Sequence, residues 1–469
     1  MPQMPIQLLA GDTVDDQTDY RDAMPVNMSG ILRPIFGSQG YMLQQPGITQ
    51  YATGLGRDRG ATWNDKFQQH FRLSNTAFIS VGATGTVTNL GTILNTDQAS
   101  FANSFNTQAI VADGAYWLYD PTDGFRQVTD PDVGNPIDIV WVDGYYVMTD
   151  GEYLFHTDLT DEESIDPLKY ATAEFSPDPT IGLSLTMDDK IIAWNRYTTE
   201  YFANTANEFF AFTRLSSRTV KYGLVGTHCK AEIGGEFFFM GGPREGNVSI
   251  YKLDVGGATN ISSREIDKLI SQYSETLLAE CVLETRIVDN YAYLVVHLPN
   301  DTVMLNIKIG AAAGWDKAWC VLRSSVTTGD TYRGINAIFE PRRGQWVMGD
   351  KVSSRIGYLD MSVATHYGII AEWVLFTPLM YMEAASVDEM MIQTIPGFTA
   401  FDDAQVFFST TYDGQFYSME AIMQYGAPSA YTRRFIGRQI GYVPNYIGFK
   451  LRGASRSRMA FAAGSVVYG

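Results

Sequence analysis

The stretch Ile137-Asp138-Ile139-Val140-Trp141-Val142-Asp143-Gly144-Tyr145-Tyr146-Val147-Met148 sets an apolar run and an aromatic run on either side of Asp-Gly. Asp-Gly between two such runs is a strong hairpin signal, because Gly accepts the positive φ of a tight turn. The same unit recurs. Ala109–Ala112 leads through Asp113-Gly114 to Ala115–Tyr119, and Leu183–Met187 through Asp188-Asp189 to Lys190–Trp194. Lys230–Ile233 leads through Gly234-Gly235 to Glu236–Met240, and Glu284–Val288 through Asp289-Asn290 to Tyr291–Val296. Gly334–Ile338 leads through Pro341 and Gly344 to Gln345–Met348, and a further candidate lies near Leu73–Val81. Repetition every 30 to 55 residues or so, with aromatic second strands, predicts a β-propeller, whose four-stranded blades take about 40 to 50 residues each. Six blades fit comfortably and seven tightly. A plain succession of hairpins in a sandwich is the alternative reading.

Outside this rhythm the chain changes character. Ile266, Leu269, Ile270, Tyr273 and Leu277 share one helical face, and Ser262 with Glu265 has the capping-box pattern. They predict a short helical insertion near 262–282 inside a propeller spanning 63–362. Residues 363–469 alternate like sandwich strands, for example Arg438–Tyr442 and Gly448–Arg452. They predict a C-terminal antiparallel β domain. Residues 1–62 are rich in Pro and Gln and read as an N-terminal arm that needs a partner to be ordered. The overall expectation is a mainly β chain: a propeller plus an antiparallel platform built from both chain ends, which pack together outside the propeller.

The 469 residues include 61 aromatics and 61 Gly or Pro (43 and 18), a balance that favours strands and tight turns. The net charge is −18, the opposite of what non-specific nucleic-acid binding needs. Charge is divided along the chain. Tyr431 to Gly469 holds seven basic residues and no acidic one, so the preceding 430 residues carry −25. Asp150 to Asp189 holds eleven acidic residues against Lys169 alone. Blocks of opposite sign favour assembly of like subunits or docking on a charged partner. Three widely spaced cysteines imply no disulfide framework, and the chain is expected to fold in a reducing cytoplasm. The uncharged stretch Ser74–Thr96 is long enough to span a membrane, yet its Thr, Asn, Ser and Gly content reads as strands and turns.

The motifs of chemistry are missing. Gly54-Leu55-Gly56-Arg57-Asp58-Arg59-Gly60 has one residue too many for a dinucleotide fingerprint and lacks a βαβ setting. No Gly-rich loop runs into Lys-Ser or Lys-Thr, and neither His-Glu-x-x-His nor Gly-x-Ser-x-Gly occurs. The five histidines lack metal-ligand spacing; His228 and Cys229, as strand neighbours, point to opposite faces. Thr411-Tyr412-Asp413-Gly414 is near the Asp-box of sialidases, but Gly follows Asp directly and no Trp closes it. The expectation is no cofactor, no metal and no enzyme.

Short segments spread along the chain carry a resemblance. They are Pro5–Leu9, Asp19-Tyr20-Arg21, Met24–Met28, Gly40-Tyr41 and Pro46-Gly47-Ile48 near the start. The acidic Thr157–Glu163, Gly226–Lys230, His297-Leu298-Pro299, Phe376–Leu379 and Gly448–Arg452 follow. In kind and order the chain resembles the tail hub proteins of short-tailed bacteriophages (podoviruses), also called tail accessory factors or packaged-DNA stabilization proteins. The resemblance implies a structural virion tail protein, made in the host bacterial cytoplasm. It implies a homohexameric ring or nozzle below the portal and its adaptor. The ring would extend the DNA channel, retain the packaged genome until ejection, and dock the tail needle and the fibres or tailspikes. Duplex DNA would pass without sequence-specific binding, and this chain would not insert into a membrane. The alternative is a propeller that binds or cleaves glycans, as an adhesin or sialidase-like enzyme. That reading requires stacked Trp or Tyr and a carboxylate pair at one propeller mouth.

The basic run marks the expected assembly interface: Arg433, Arg434, Arg438, Arg452, Arg456 and Arg458, with Tyr431, Phe435 and Tyr446 supplying apolar area. The channel-facing surface is expected to be net negative or uncharged.

Overall fold

In the computed structural model the Asp-Gly pairs turn through the left-handed region at both central residues. Asp113 and Gly114 have φ of 60° and 62°, and Asp143 and Gly144 have 51° and 92°. That geometry matches the right-handed twist of the flanking strands, so Ala112 faces Ala115 and Val142 faces Tyr145 across each ladder. The structure describes residues 3–6, 24–94, 97–173, 175–326, 330–399, 404–426, 430 and 435–469.

Among the described residues, seven antiparallel sheets follow one another as the blades of a propeller. Their innermost strands are Asp58–Asn64, Ser100–Asn103, Asp138–Val142, Thr180–Leu185, Lys230–Ile233, Val282–Val288 and Gly334–Glu340. The ring closes where Gly334–Glu340 meets Asp58–Asn64. In blades three to seven the expected hairpin joins the first two strands; in blades one and two it joins the second and third. The large residues of the second strands, Tyr146 and Trp194 among them, are buried between neighbouring blades.

The first blade begins at Asp58, inside the span read as an arm. The seventh blade has only three consecutive strands. Its fourth is Gly47–Thr53, antiparallel to Arg355–Asp360 from Asp360↔Gly47 to Arg355↔Thr53. The physical reason is the open edge: a three-stranded last blade would leave a row of unpaired backbone groups, and the strand ahead of the first blade covers it. The sheet extends further, since His366 pairs with Ile48 and Thr365–His366 with Ile369–Ile370.

The rest of the N-terminal segment joins the C-terminal domain. One sheet holds Met28–Ile31, Tyr41–Gln44, Ala460–Tyr468, Ala385–Thr394 and Phe435–Val443, with Gln3–Ile6 also on Ala460–Tyr468. The other holds Glu372–Phe376, Tyr446–Ala454, Gln405–Thr411 and Ala421–Gln424. Ile6, Met28 and Met42 from the first end pack with Trp373, Leu451 and Phe461 from the second. Met24 and Val26 instead pack among residues of blades four to six, together with Val374 and Phe376 of the sandwich.

The predicted helix is two short pieces, Arg264–Ile270 and Glu275–Ala279, in the connection from blade five to blade six. Its cap is Ser263, which accepts from the Ile266 N–H, whereas the Ser262 hydroxyl bonds to Asn260 and Asp267. Leu277 is exposed, so the apolar face stops at the break. A further helix, Ile307–Ala313, lies inside blade six.

Candidate assembly surfaces and axial cavity

The basic run does not act as one surface. Arg458 is 3% exposed; its guanidinium donates to the Gln44 carbonyl at 2.8 and 3.0 Å and to the Met361 carbonyl at 3.1 Å. It ties the C-terminal strand to the N-terminal segment and to blade seven. Phe435 is 2% exposed in the sandwich core. Neither can touch another subunit, because the sandwich needed their mass and hydrogen bonds for itself. Arg452 is held within its own sheet by Glu420 at 2.6 Å and Glu372 at 3.2 Å. Arg438 stands out from the surface, 3.2 Å from Glu389, and Arg456 is exposed. Tyr446 is half-exposed with its ring 5.3 Å from that of Tyr381, and Tyr442 is exposed on the preceding strand. Tyr431, Arg433 and Arg434 lie outside the described residues.

A second surface was not foreseen. The turn after Gln405–Thr411 is fixed by Asp413, whose Oδ1 accepts from the Gln415 and Phe416 N–H groups, both at 2.9 Å. The Asp-box look-alike is thus a turn former. It carries Phe416 and Met419 into solvent at 78% and 95% exposure, beside Tyr412 and Ile422. Ile422 sits on Ala421–Gln424, an edge strand of the second sheet. Clustered exposed apolar side chains next to an unpaired edge mark an interaction surface. The readable signal was Phe416, Met419 and Ile422 at a turn.

Part of the acidic block, Asp161, Glu162, Glu163 and Asp166, lies on the propeller's rim. Asp161–Thr172 is the outermost strand of blade three, twelve residues long. Glu162, Glu163, Asp166 and Pro167 interrupt it; charge and proline are what keep an open edge from adding foreign strands. Leu168 and Tyr170 are exposed on the same strand.

Polar residues inside the inner strands stitch the blades around the axis. Asp138 of blade three accepts from the Leu183 N–H of blade four at 2.7 Å and pairs with Lys230 of blade five at 2.6 Å. Asp58 of blade one pairs with Arg72 and accepts from Asn336 of blade seven, each at 2.6 Å. Glu284 of blade six accepts from the Ala337 N–H at 2.9 Å and lies 3.2 Å from His297 Nε2. Burial alone would raise the Glu284 carboxyl, but His297 and that N–H outweigh it and hold it low. The sequence did signal these residues, as lone polar groups within apolar strands.

The axis itself holds a cavity of about 390 Å³ walled by inner strands of all seven blades. It meets a wider one, about 710 Å³, at the mouth where first strands begin and second strands end. Among its described lining residues there is no Trp or Tyr. The stacking platform that the glycan reading requires is therefore absent from this mouth.

Fold and surfaces define a propeller–sandwich structural subunit, and the comparisons give its family. Two family models match, described as Bacteriophage P22 Gp10, beta-propeller, over residues 3–364, and Bacteriophage P22 Gp10, beta-sandwich, over residues 372–468. The chain belongs to the Bacteriophage P22 Gp10 family. It is 29% identical to the tail hub protein gp10 of Salmonella phage P22 over 97% of this chain and 98% of that one. Solved propellers also resemble it. A virginiamycin B lyase from Staphylococcus aureus does so at 13% identity and a TM-score of 0.43, over 68% of this chain and 98% of that one. The N-terminal domain of Nup159 does so at 11% identity and 0.40, over 67% and 94%. These likenesses carry no functional argument.

Proposed function

We propose that this chain is a structural, non-catalytic subunit of the tail hub of a short-tailed phage. Six copies form a ring below the portal adaptor, extend the DNA channel, help retain the packaged genome, and dock the tail needle and the fibres or tailspikes. The observation that carries this reading is the match to a tail hub protein along nearly the full length of both chains, sandwich as well as propeller.

The DNA path in this reading runs between subunits. A duplex is wider than its own major groove of about 12 Å, and an axial cavity of about 390 Å³ cannot admit it. The turn bearing Phe416 and Met419 supplies apolar area for a subunit or adaptor contact. Surface ion pairs are worth about 0 to 1 kcal/mol each, so the apolar turn dominates. Sedimentation and negative-stain imaging of the purified protein, alone and mixed with its adaptor ring, test the proposal. Sixfold rings that stack on the adaptor are expected. A chain that stays monomeric and ignores the adaptor would refute it.

A further inference from the structure

The wider axial cavity is bounded at depth by hydrogen-bond donors from three consecutive blades. Arg59 opens the first strand of blade one. It is 1% exposed; Nε donates to the Asp97 carbonyl at 2.6 Å and Nη1 to the Asn75 carbonyl at 2.7 Å, while Nη2 has no protein acceptor. His297 closes the second strand of blade six. It is 4% exposed, and neither ring nitrogen makes a hydrogen bond of good geometry; its nearest charged neighbour is Glu284. Lys351 follows the second strand of blade seven, and among the described residues the one side-chain acceptor of its ammonium is Thr302 Oγ1 at 3.0 Å. All three line the same cavity.

The topology explains why they meet. In an antiparallel blade the start of the first strand and the end of the second lie at one face, so these three positions converge on one mouth. Two nearby carboxylates face groups of their own blades and of blade seven. Glu284 faces His297 and the Ala337 N–H, and Asp58 is taken by Arg72, Asn336 and the Gly60 N–H. The remaining lining carboxylates, Asp97, Asp113 and Glu280, belong to loop segments and are exposed to solvent, where the charges of Asp97 and Asp113 act on Arg59 through a screened medium. Arg59 Nη2 therefore stays a buried cationic donor without an acceptor among the described residues, and burying a donor without an acceptor is costly.

We infer that this mouth is a binding site for a small molecule carrying an oxyanion, a carboxylate or a phosphate, held by Lys351, Arg59 and His297. The volume of about 710 Å³ lies within the range of small-molecule sites, about 300–1,000 Å³, and leaves room for a body beyond the anionic group. Neutral donors alone would suit a carbonyl; two cationic donors in a water-poor depth favour a charged acceptor. The site goes beyond the assembly role and does not depend on it.

Isothermal titration of the full chain with inorganic phosphate and with citrate tests it, with glycerol as the neutral control. Saturable binding of at least one anion below about 10 mM is expected, and none of glycerol. Tighter binding of citrate identifies an organic carboxylate as the ligand type, and tighter binding of phosphate a free oxyanion. Where both bind, the tighter anion should displace the weaker, since both use the same donors. Lys351→Met keeps the stem and should weaken binding about tenfold or more. Silence towards both anions, binding of glycerol as tight as theirs, two anions that bind without competing, or unchanged affinity in a folded Lys351→Met protein would each overturn the inference.

Discussion

His70, His297 and His366 are buried among the blades, and burial pushes the first two down to about 4 and the third to about 3. An unfolded imidazole takes its proton near 6.5. Between those values the unfolded chain binds more protons than the folded one, so acidification favours unfolding. The contribution is complete above about pH 6.5 and shrinks as pH falls, by at most about 1.4 kcal/mol per pH unit for each histidine. Melting temperature should hold steady from pH 8 to 7 and fall steadily from 6 to 5; a flat profile down to pH 5 would contradict the burial argument. Arg458 belongs to the same scale. Arg458→Met strips two buried carbonyls, Gln44 and Met361, of three hydrogen bonds and should cost about 2–4 kcal/mol in denaturant unfolding. Ring assembly at low temperature should survive, because the side chain faces no other subunit. A variant with full stability and lost assembly would reverse that assignment.

At the scale of elements, the strand Gly47–Thr53 matters most. Its Ile48 is fully buried against blade seven, in a cluster with Met348, Leu359 and Tyr367. Ile48→Ala should cost about 2–5 kcal/mol. Hydrogen exchange should then quicken first in Arg355–Asp360, the strand it covers; uniform quickening over all blades would argue against a local closure. The edge strand of blade three gives a second test. Replacing Glu162, Glu163 and Asp166 with Gln, Gln and Asn removes charges that guard an open edge, and light scattering should show faster aggregation on warming. Unchanged colloidal stability would mean that the acidic block serves something other than edge protection.

For the whole molecule, the proposed tail-hub ring makes charge the quantity to test. Six copies of the proposed ring, at −18 each, would carry −108, and duplex DNA carries about one negative charge per 1.7 Å of axis. A basic lumen would grip phosphates and slow passage; an acidic or neutral wall leaves no deep well. Screening limits the field to about 8 Å at physiological salt, so only side chains close to the duplex count. Assembled rings should fail to retain duplex DNA in a mobility-shift experiment at that salt, and retention there would contradict a negative lumen. Phe416→Asp together with Met419→Asp should block ring formation or adaptor docking while leaving the monomer's melting curve unchanged; intact assembly would remove this turn from the contact.

Local chemistry carried the hairpins. Asp113-Gly114 and Asp143-Gly144 must turn wherever two apolar runs flank them, because φ preference acts within a few residues. Alternation and composition likewise made the chain mainly β, and the ordered segments from Pro5 to Arg452 pointed to its family. Blade number, ring closure and the site were decided elsewhere. Gly47–Thr53 reads as a strand without an address, and only the unpaired edge of blade seven, some 300 residues away in the chain, tells it where to pair. Arg458 and Phe435 look like neighbours of Arg438 along the sequence, yet the two sheets bury the first two and leave the third in solvent. Arg59, His297 and Lys351 share a cavity for the same reason: proximity across blades comes from the closed ring of antiparallel strands, and no local pattern encodes it.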